Sequence, residues 1–245
     1  MVGMWPSDVL MEMFGTSGMT AYFGLRQCGP IMPSDTVLVA SVTGSVGSIL
    51  AQLARTAGAR VIGLAGGEAR CRWAEAHLGI DACLDYRSPD LADHIPIAAP
   101  DGVDVYCDGA GGPLTGIAVG AMKAHARLFA YGSSAAFFAA KLDPPKQRLP
   151  LRQHFGLSEA IEQQLQRKHI KTECWIVDAF YHERLSAEDE LSRLLLSGAL
   201  KPINTVVEGF DKLPYALVHL YDGGCRFRGK PPPNSEMMPP PCSEE

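Results

Sequence analysis

Hydrophobic positions follow two rhythms along the chain. Short runs in which nearly every residue is apolar, such as TVLVAS from Thr36 and RVIGLA from Arg60, alternate with longer segments whose apolar residues recur every three or four positions. A run without polar alternation is what a strand needs when both of its faces are covered, as in a parallel sheet. Six runs predict strands at Thr36–Ser41, Arg60–Ala65, Ala82–Leu84, Val103–Cys107, Arg127–Gly132 and Thr172–Ala179, with helices between most neighbours. Their close spacing predicts an α/β fold, a doubly wound, mostly parallel six-stranded sheet of the Rossmann type with helices on both faces.

Ahead of the first strand, residues 8–30 read as a helix, MTAYFGLRQ, entered through the Gly15-Thr16-Ser17-Gly18 turn. Beyond the last strand, Ser186–Leu196 and Leu213–Tyr221 are amphipathic and are expected to pack on the outer part of the sheet. From Pro231 the sequence PPPNSEMMPPPCSEE is polar and proline-rich, too poor in apolar surface to offset its ordering entropy, and is expected to be disordered. The division is then a lead-in with a linking helix (1–30), a nucleotide-binding domain with C-terminal helices (31–230) and a tail (231–245).

Composition narrows the setting. With 245 residues, 47% of them hydrophobic and 20% charged, the chain can bury a full core. A net charge of −5 gives no general attraction to nucleic acid or to an anionic membrane. The seven cysteines include no C-x-x-C pair that would hold zinc or a redox disulfide, so a reducing cytoplasm is the expected compartment and no metal site is expected. The first residues, MVGMWPSDVLMEMFG, lack a basic leader, and no stretch supplies the roughly 18 uncharged residues of a membrane helix.

Candidate chemistry begins in LVASVTGSVGSILAQLARTAG, Leu38 to Gly58, where a β-rich run breaks into glycines and continues as an apolar helix. Gly44 and Gly47 stand at that junction, where N–H groups and the helix dipole favour a phosphate; Gly44 permits its close approach and Gly47 lets helix and sheet pack. The dinucleotide pattern G-x-G-x-x-G would place its first glycine at Val42, so the match is partial, and such a turn can also be purely structural. The surrounding alternation of strands and helices favours the dinucleotide. An NAD site ends its second strand in an acid that accepts from the ribose 2′-OH. Here that strand runs VIGLAGGEARCRW: Gly66 and Gly67 leave the corner open, and Arg70 offers a permanently charged fork to a 2′-phosphate, which favours NADP(H). The alternative is that Arg70 and Arg72 merely solvate a helix and Glu68 plays the missing acid.

GTSGMTAYFGL, DTVLVASVTGSVGSILAQLA, GLAGGEARCRWAEAHLGIDACLDYRS, PDGVDVYCDGAGG and LKPINTVVEGFDKLPYAL together resemble the zinc-independent medium-chain dehydrogenase/reductase superfamily, in the branch of the prostaglandin, alkenal and curcumin reductases. The resemblance runs from about Phe14 to Lys230. It implies reduction by NADPH, without a metal, of the C=C bond of an α,β-unsaturated carbonyl, with a small enone or enal as substrate. It further implies that Gly44, Ser45, Val46 and Gly47 cradle the pyrophosphate, that Gly66 and Arg70 (a lysine in the family) frame the 2′-phosphate, and that Tyr86 lines the adenosine side. Tyr86 also reads as an ordinary half-buried strand-end aromatic. Gly132, Ser133, Ser134 and the strand residues Trp175, Ile176 and Val177 would approach the nicotinamide end, and Gly109 is a further cofactor-binding position. No catalytic residue is assigned, and a homodimer is compatible with the reading.

The departures from the family are specific. Its GroES-like substrate domain would precede this chain, which starts just ahead of the linking helix, so the activity of the chain alone is expected to be impaired. The family's last strand falls on RGKPPPNSEMM, and its Asn-Phe-Gly-Lys near the end on CRFRGK. Its Asp-Asn-Val-Gly-Gly is Asp108-Gly109-Ala110-Gly111-Gly112, without the asparagine that contacts cofactor, and its Tyr-Asn after the fifth strand falls on Phe137 and Phe138. A non-catalytic NADP-binding module is therefore the alternative. A short-chain dehydrogenase is excluded because no tyrosine is followed four positions later by lysine, and a methyltransferase is disfavoured because GGEAR lacks the usual acid for the ligand's ribose.

Overall fold

The computed structural model describes residues 5–133 and 150–216. Six strands, β1 (Thr36–Ala40), β2 (Arg60–Ala65), β3 (Ala82–Asp85), β4 (Val103–Asp108), β5 (Met122–Ala130) and β6 (Lys171–Cys174), form one sheet in the order β3-β2-β1-β4-β5-β6. Every pairing is parallel. The expected doubly wound fold is therefore present. Its order reverses between β1 and β4, and the crevice that such a reversal opens lies beyond the carboxyl ends of those strands.

The unbroken apolar runs divide by strand parity. Val37, Val39, Val61, Ala65, Val105, Cys107 and Phe129 enter one buried cluster, and Leu38, Ala40, Ile62, Leu64, Tyr106, Leu128 and Ala130 enter the other. On the first face lie α1 (Ser7–Met13), α2 (Thr16–Cys28), α3 (Ser45–Thr56) and α4 (Glu68–Leu78). The second is covered by α5 (Leu91–Ala98), α6 (Pro113–Ala121) and α8 (Glu159–Arg167), which follows the short α7 (Leu151–His154).

Several expected boundaries move. The single helix expected over 8–30 is two, α1 and α2. The fifth strand starts earlier, at Met122, with a register irregularity opposite Val103–Val105 and a left-handed His125 (φ 62°). The last strand stops at Cys174 instead of Ala179, and Val177–Glu183 is a 3-10 turn. Its aromatic and β-branched continuation looks like strand, but Trp175 turns its ring onto Phe129 and Phe180, with centroids 5.0 and 4.5 Å apart. The helix expected at Ser186–Leu196 is α9 (Arg184–Leu196), and it packs against α2, with the Tyr22 hydroxyl donating to Glu190 at 2.9 Å. Of Leu213–Tyr221 only the start is described, after a 3-10 turn at Phe210–Lys212; the rest and the 231–245 tail lie outside the described residues.

Two buried side chains tie the segment after α9 back to the amino-terminal helices. Gln52 of α3 accepts from the Lys201 N–H at 2.8 Å and donates to the Lys201 carbonyl at 3.1 Å. Glu12 of α1 accepts from the Ile203 N–H at 2.9 Å and from the Asn204 amide at 3.1 Å, and burial holds its carboxyl above the ordinary value.

Candidate functional site

The turn after β1 replaces the missing first glycine in two ways. Ser41 takes the left-handed conformation (φ 52°), and Val42 fills the space above Gly63, where a Cβ would sit 2.6 Å from the Val42 Cγ1. Gly44 then donates to the Ser41 carbonyl at 2.8 Å and stands as the cap of α3 with no side chain capping it. The N–H groups of Ser45, Val46 and Gly47 thus form the uncapped first turn of a 12-residue helix, an arrangement suited to an anion. Gly47 lets that helix reach the strand: a Cβ there would lie 2.3 Å from the Ser41 carbonyl oxygen.

The second corner is built from the ends of β2 and β3. Gly67 is left-handed (φ 95°), and its N–H donates to Asp85 Oδ1 at 2.9 Å. The same oxygen accepts from the Arg87 N–H at 2.9 Å. Tyr86, 40% exposed, lays its ring over Gly66, where a Cβ would meet the hydroxyl at 2.8 Å. Arg70 follows in the first turn of α4, its N–H donating to the Gly67 carbonyl at 3.1 Å. Arg87 stands at the same corner, its guanidinium 6.0 Å from the centroid of the Tyr86 ring, with Nη1 4.0 Å from a Cβ placed on Gly67. Glu68, the alternative acid, pairs with Arg72 on the solvent side of α4.

At the ends of β4 and β5 the two loops interlock. Asp108 is fully buried and accepts from the N–H groups of Ala110 and Gly111, both at 2.9 Å, and from the Thr115 hydroxyl at 2.5 Å. These bonds fix the glycine loop. Tyr131 crosses the crevice to donate to the Ala40 carbonyl at 3.3 Å. Its ring takes the place of any side chain at residue 109, since a Cβ on Gly109 would lie 2.6 Å from it. The asparagine absent at this position is therefore matched by a tyrosine across the gap. Gly132 and Ser133 close on Gly109 and Gly111, with 2.8 Å between a Gly132 Cβ and the Gly109 carbonyl.

Gly44, Ser45, Val46, Gly47, Gly66, Arg70, Tyr86, Gly109, Gly132 and Ser133 are thus gathered along the carboxyl edge of one sheet. The group expected at the end of β6 divides. Trp175 packs into the aromatic cluster and Val177 is 3% exposed at the start of the 3-10 turn, so both serve the core; Ile176 is 56% exposed. Ser134, Phe137 and Phe138 lie outside the described residues. Sequence reading missed Asp85, Arg87 and Tyr131. The stretch DYRS, in which only Tyr86 was singled out, held the signal for the first two. Among the described residues no three His, Cys, Asp or Glu side chains gather as a metal would require, and no helix is long and apolar enough to cross a membrane.

A family model described as zinc-binding dehydrogenase matches residues 45–163. The NADPH-dependent curcumin reductase of Escherichia coli is 30% identical over 220 residues, which cover 89% of this chain and 60% of that protein. Prostaglandin reductase 1 of Bos taurus is 30% identical over 225 residues, 89% of this chain and 64% of its own length. The crystal structure of CurA from Vibrio vulnificus in complex with NADPH superimposes with a TM-score of 0.76 at 29% identity, over 89% of this chain and 63% of the other. The chain thus spans under two thirds of each of these three relatives.

Proposed function

We propose that the chain belongs to the zinc-independent medium-chain dehydrogenase/reductase superfamily, in the branch of the curcumin and prostaglandin reductases it resembles, and that it forms the NADP(H)-binding part of a reductase acting on the C=C bond of α,β-unsaturated carbonyls. When bound, NADPH supplies the hydride for such a reduction. The residues of this chain hold and aim it. The N–H groups of Ser45, Val46 and Gly47 bind the pyrophosphate at the uncapped start of α3. Arg70 and Arg87 flank the 2′-phosphate, and Tyr86 covers the adenosine. Gly109, Gly132, Ser133 and Ile176 border the nicotinamide end. One observation carries the assignment: the corner after β2 ends in Gly66 and Gly67 where an NAD site needs an acid, with Arg70 in the first turn of the helix that follows and the Arg87 guanidinium near Gly67.

Fluorescence titration of the chain with NADPH and NADH tests this reading. NADPH should bind more tightly by about 1.5–3 kcal/mol, the scale of hydrogen bonds to a charged group. Arg70→Ala should weaken NADPH about tenfold and leave NADH unchanged, and a further Arg87→Ala should remove the remaining preference. Equal affinities in the parent chain would remove the 2′-phosphate from the site. A second reading, a non-catalytic NADP-binding module, draws support from Tyr131, whose ring excludes any side chain at residue 109. The two readings separate on NADPH oxidation with a simple alkenal, where turnover above background supports the reductase.

A further inference from the structure

Beneath the corner between β2 and α4, two cysteines that the proposed function does not use face each other. Cys71 lies in the second turn of α4, and its N–H donates to the Gly67 carbonyl at 3.2 Å. Cys83 lies on β3, in register with Gly63 of β2, and its N–H donates to Glu75 Oε1 of α4 at 2.8 Å. Both are reduced thiols of the same core cluster, 6% and 9% exposed, and their side chains are hydrogen-bonded to each other across the helix–sheet contact.

We propose that Cys71 and Cys83 are a redox modification site, a dithiol that hydrogen peroxide converts to a disulfide joining α4 to β3 directly under the 2′-phosphate corner. The hydrogen bond from Cys83 holds the Cys71 thiol below its ordinary value, while the same bond and burial push Cys83 up. Cys71 is accordingly the attacking group, since the thiolate is the nucleophile. Its sulfur attacks one peroxide oxygen and the O–O bond breaks. The sulfur becomes a sulfenic acid, and the departing hydroxide takes up the Cys71 proton as water. The Cys83 sulfur then attacks the sulfenic sulfur, the S–O bond breaks, and the hydroxyl leaves with the Cys83 proton as a second water. Two thiols lose two electrons and one peroxide is reduced to two waters.

The bond has a mechanical result. Sulfurs in hydrogen-bond contact must close to about 2.05 Å, and Cys71 draws the first turn of α4 with it. Arg70 is its neighbour in the chain, so oxidation moves that guanidinium relative to Arg87 and Gly66. This effect on cofactor rests on the proposed function; formation of the disulfide does not.

The experiment treats the folded full chain with hydrogen peroxide, alkylates the remaining thiols and maps the peptides by mass spectrometry. The expected product is a peptide pair joined through Cys71 and Cys83, reversed by dithiothreitol and absent from Cys71→Ser and from Cys83→Ser. Two results overturn the site: sulfinic or sulfonic acid at Cys71 with Cys83 still alkylatable, or links among Cys28, Cys107, Cys225 and Cys242 forming in place of this one. The oxidised parent should also hold NADPH about tenfold more weakly than the reduced one. If the reduced chain binds no NADPH, the cofactor assignment fails, while the peptide map still decides the disulfide. If it binds NADPH equally in both forms with the link present, the coupling to the corner is overturned.

Discussion

Replacing Gly47 by alanine should cost the domain about 3 kcal/mol, the upper part of the range for forcing atoms into a packed interior. The added Cβ would lie 2.3 Å from the Ser41 oxygen, 3.0 Å from its carbonyl carbon and 3.1 Å from the Val42 Cα. All three are backbone atoms, so no rotamer change relieves the clash and α3 must lift from β1. Urea unfolding should show a lower midpoint with an unchanged slope. Gly44→Ala is the contrasting case. Its Cβ would lie 3.1 Å from the Ser41 oxygen and otherwise face outward, so the fold should survive while NADPH binding weakens. A Gly47→Ala chain as stable as its parent would show that the turn is not held as described.

The second large effect concerns Asp108. Asp108→Ala should destabilise the domain by about 3–5 kcal/mol, because the N–H groups of Ala110 and Gly111 and the Thr115 hydroxyl lose their acceptor, and each buried unpaired donor costs about 1–3 kcal/mol. The residue also carries a pH signature. Burial pushes its carboxyl above the ordinary 3.8, so the folded state keeps a proton at a pH where the unfolded chain has released it. The stability tied to that proton is fully present below the ordinary value and is lost as pH rises through the raised one. Unfolding free energies measured from about pH 4 upward should therefore fall with pH more steeply in the parent than in Asp108→Asn, which has no proton to lose there. Parallel curves would count against the buried carboxyl as the source.

Much of this architecture was legible because parallel strands buried on both faces cannot hide polar residues. TVLVA and RVIGLA carry their class in their composition, and Gly44 and Gly47 mark the turn by type. The end of β6 was not legible. Trp175, Ile176 and Val177 have the side chains that strands prefer, and only the aromatic pocket, made by Phe129 from β5 and Phe180 from the following turn, turns them away. The site divides on the same principle. Arg70 and the open glycines are local signals. Tyr131 is not, because its meaning comes from the space above Gly109, in the loop after another strand. Asp85 and Arg87 fall between these cases, adjacent to the noticed Tyr86, with Asp85 accepting from the N–H groups of both Gly67 and Arg87.

The hydrogen bonds from Ile203 and Asn204 to Glu12 bear on the order in which a ribosome delivers the molecule. Glu12 waits for an N–H 191 positions later in the chain, and Gln52 for one 149 positions later. At translation rates of about 5–20 residues per second, the first of those gaps lasts roughly 10–40 seconds. Until Ile203 emerges, burying α1 would strand a carboxylate without its acceptor bonds filled, so that helix stays in water while the strands behind it assemble. Helix α1 is thus fixed later than the strands that follow it in the chain, and a chaperone that shields exposed apolar segments has that interval in which to meet Val9 and Met13.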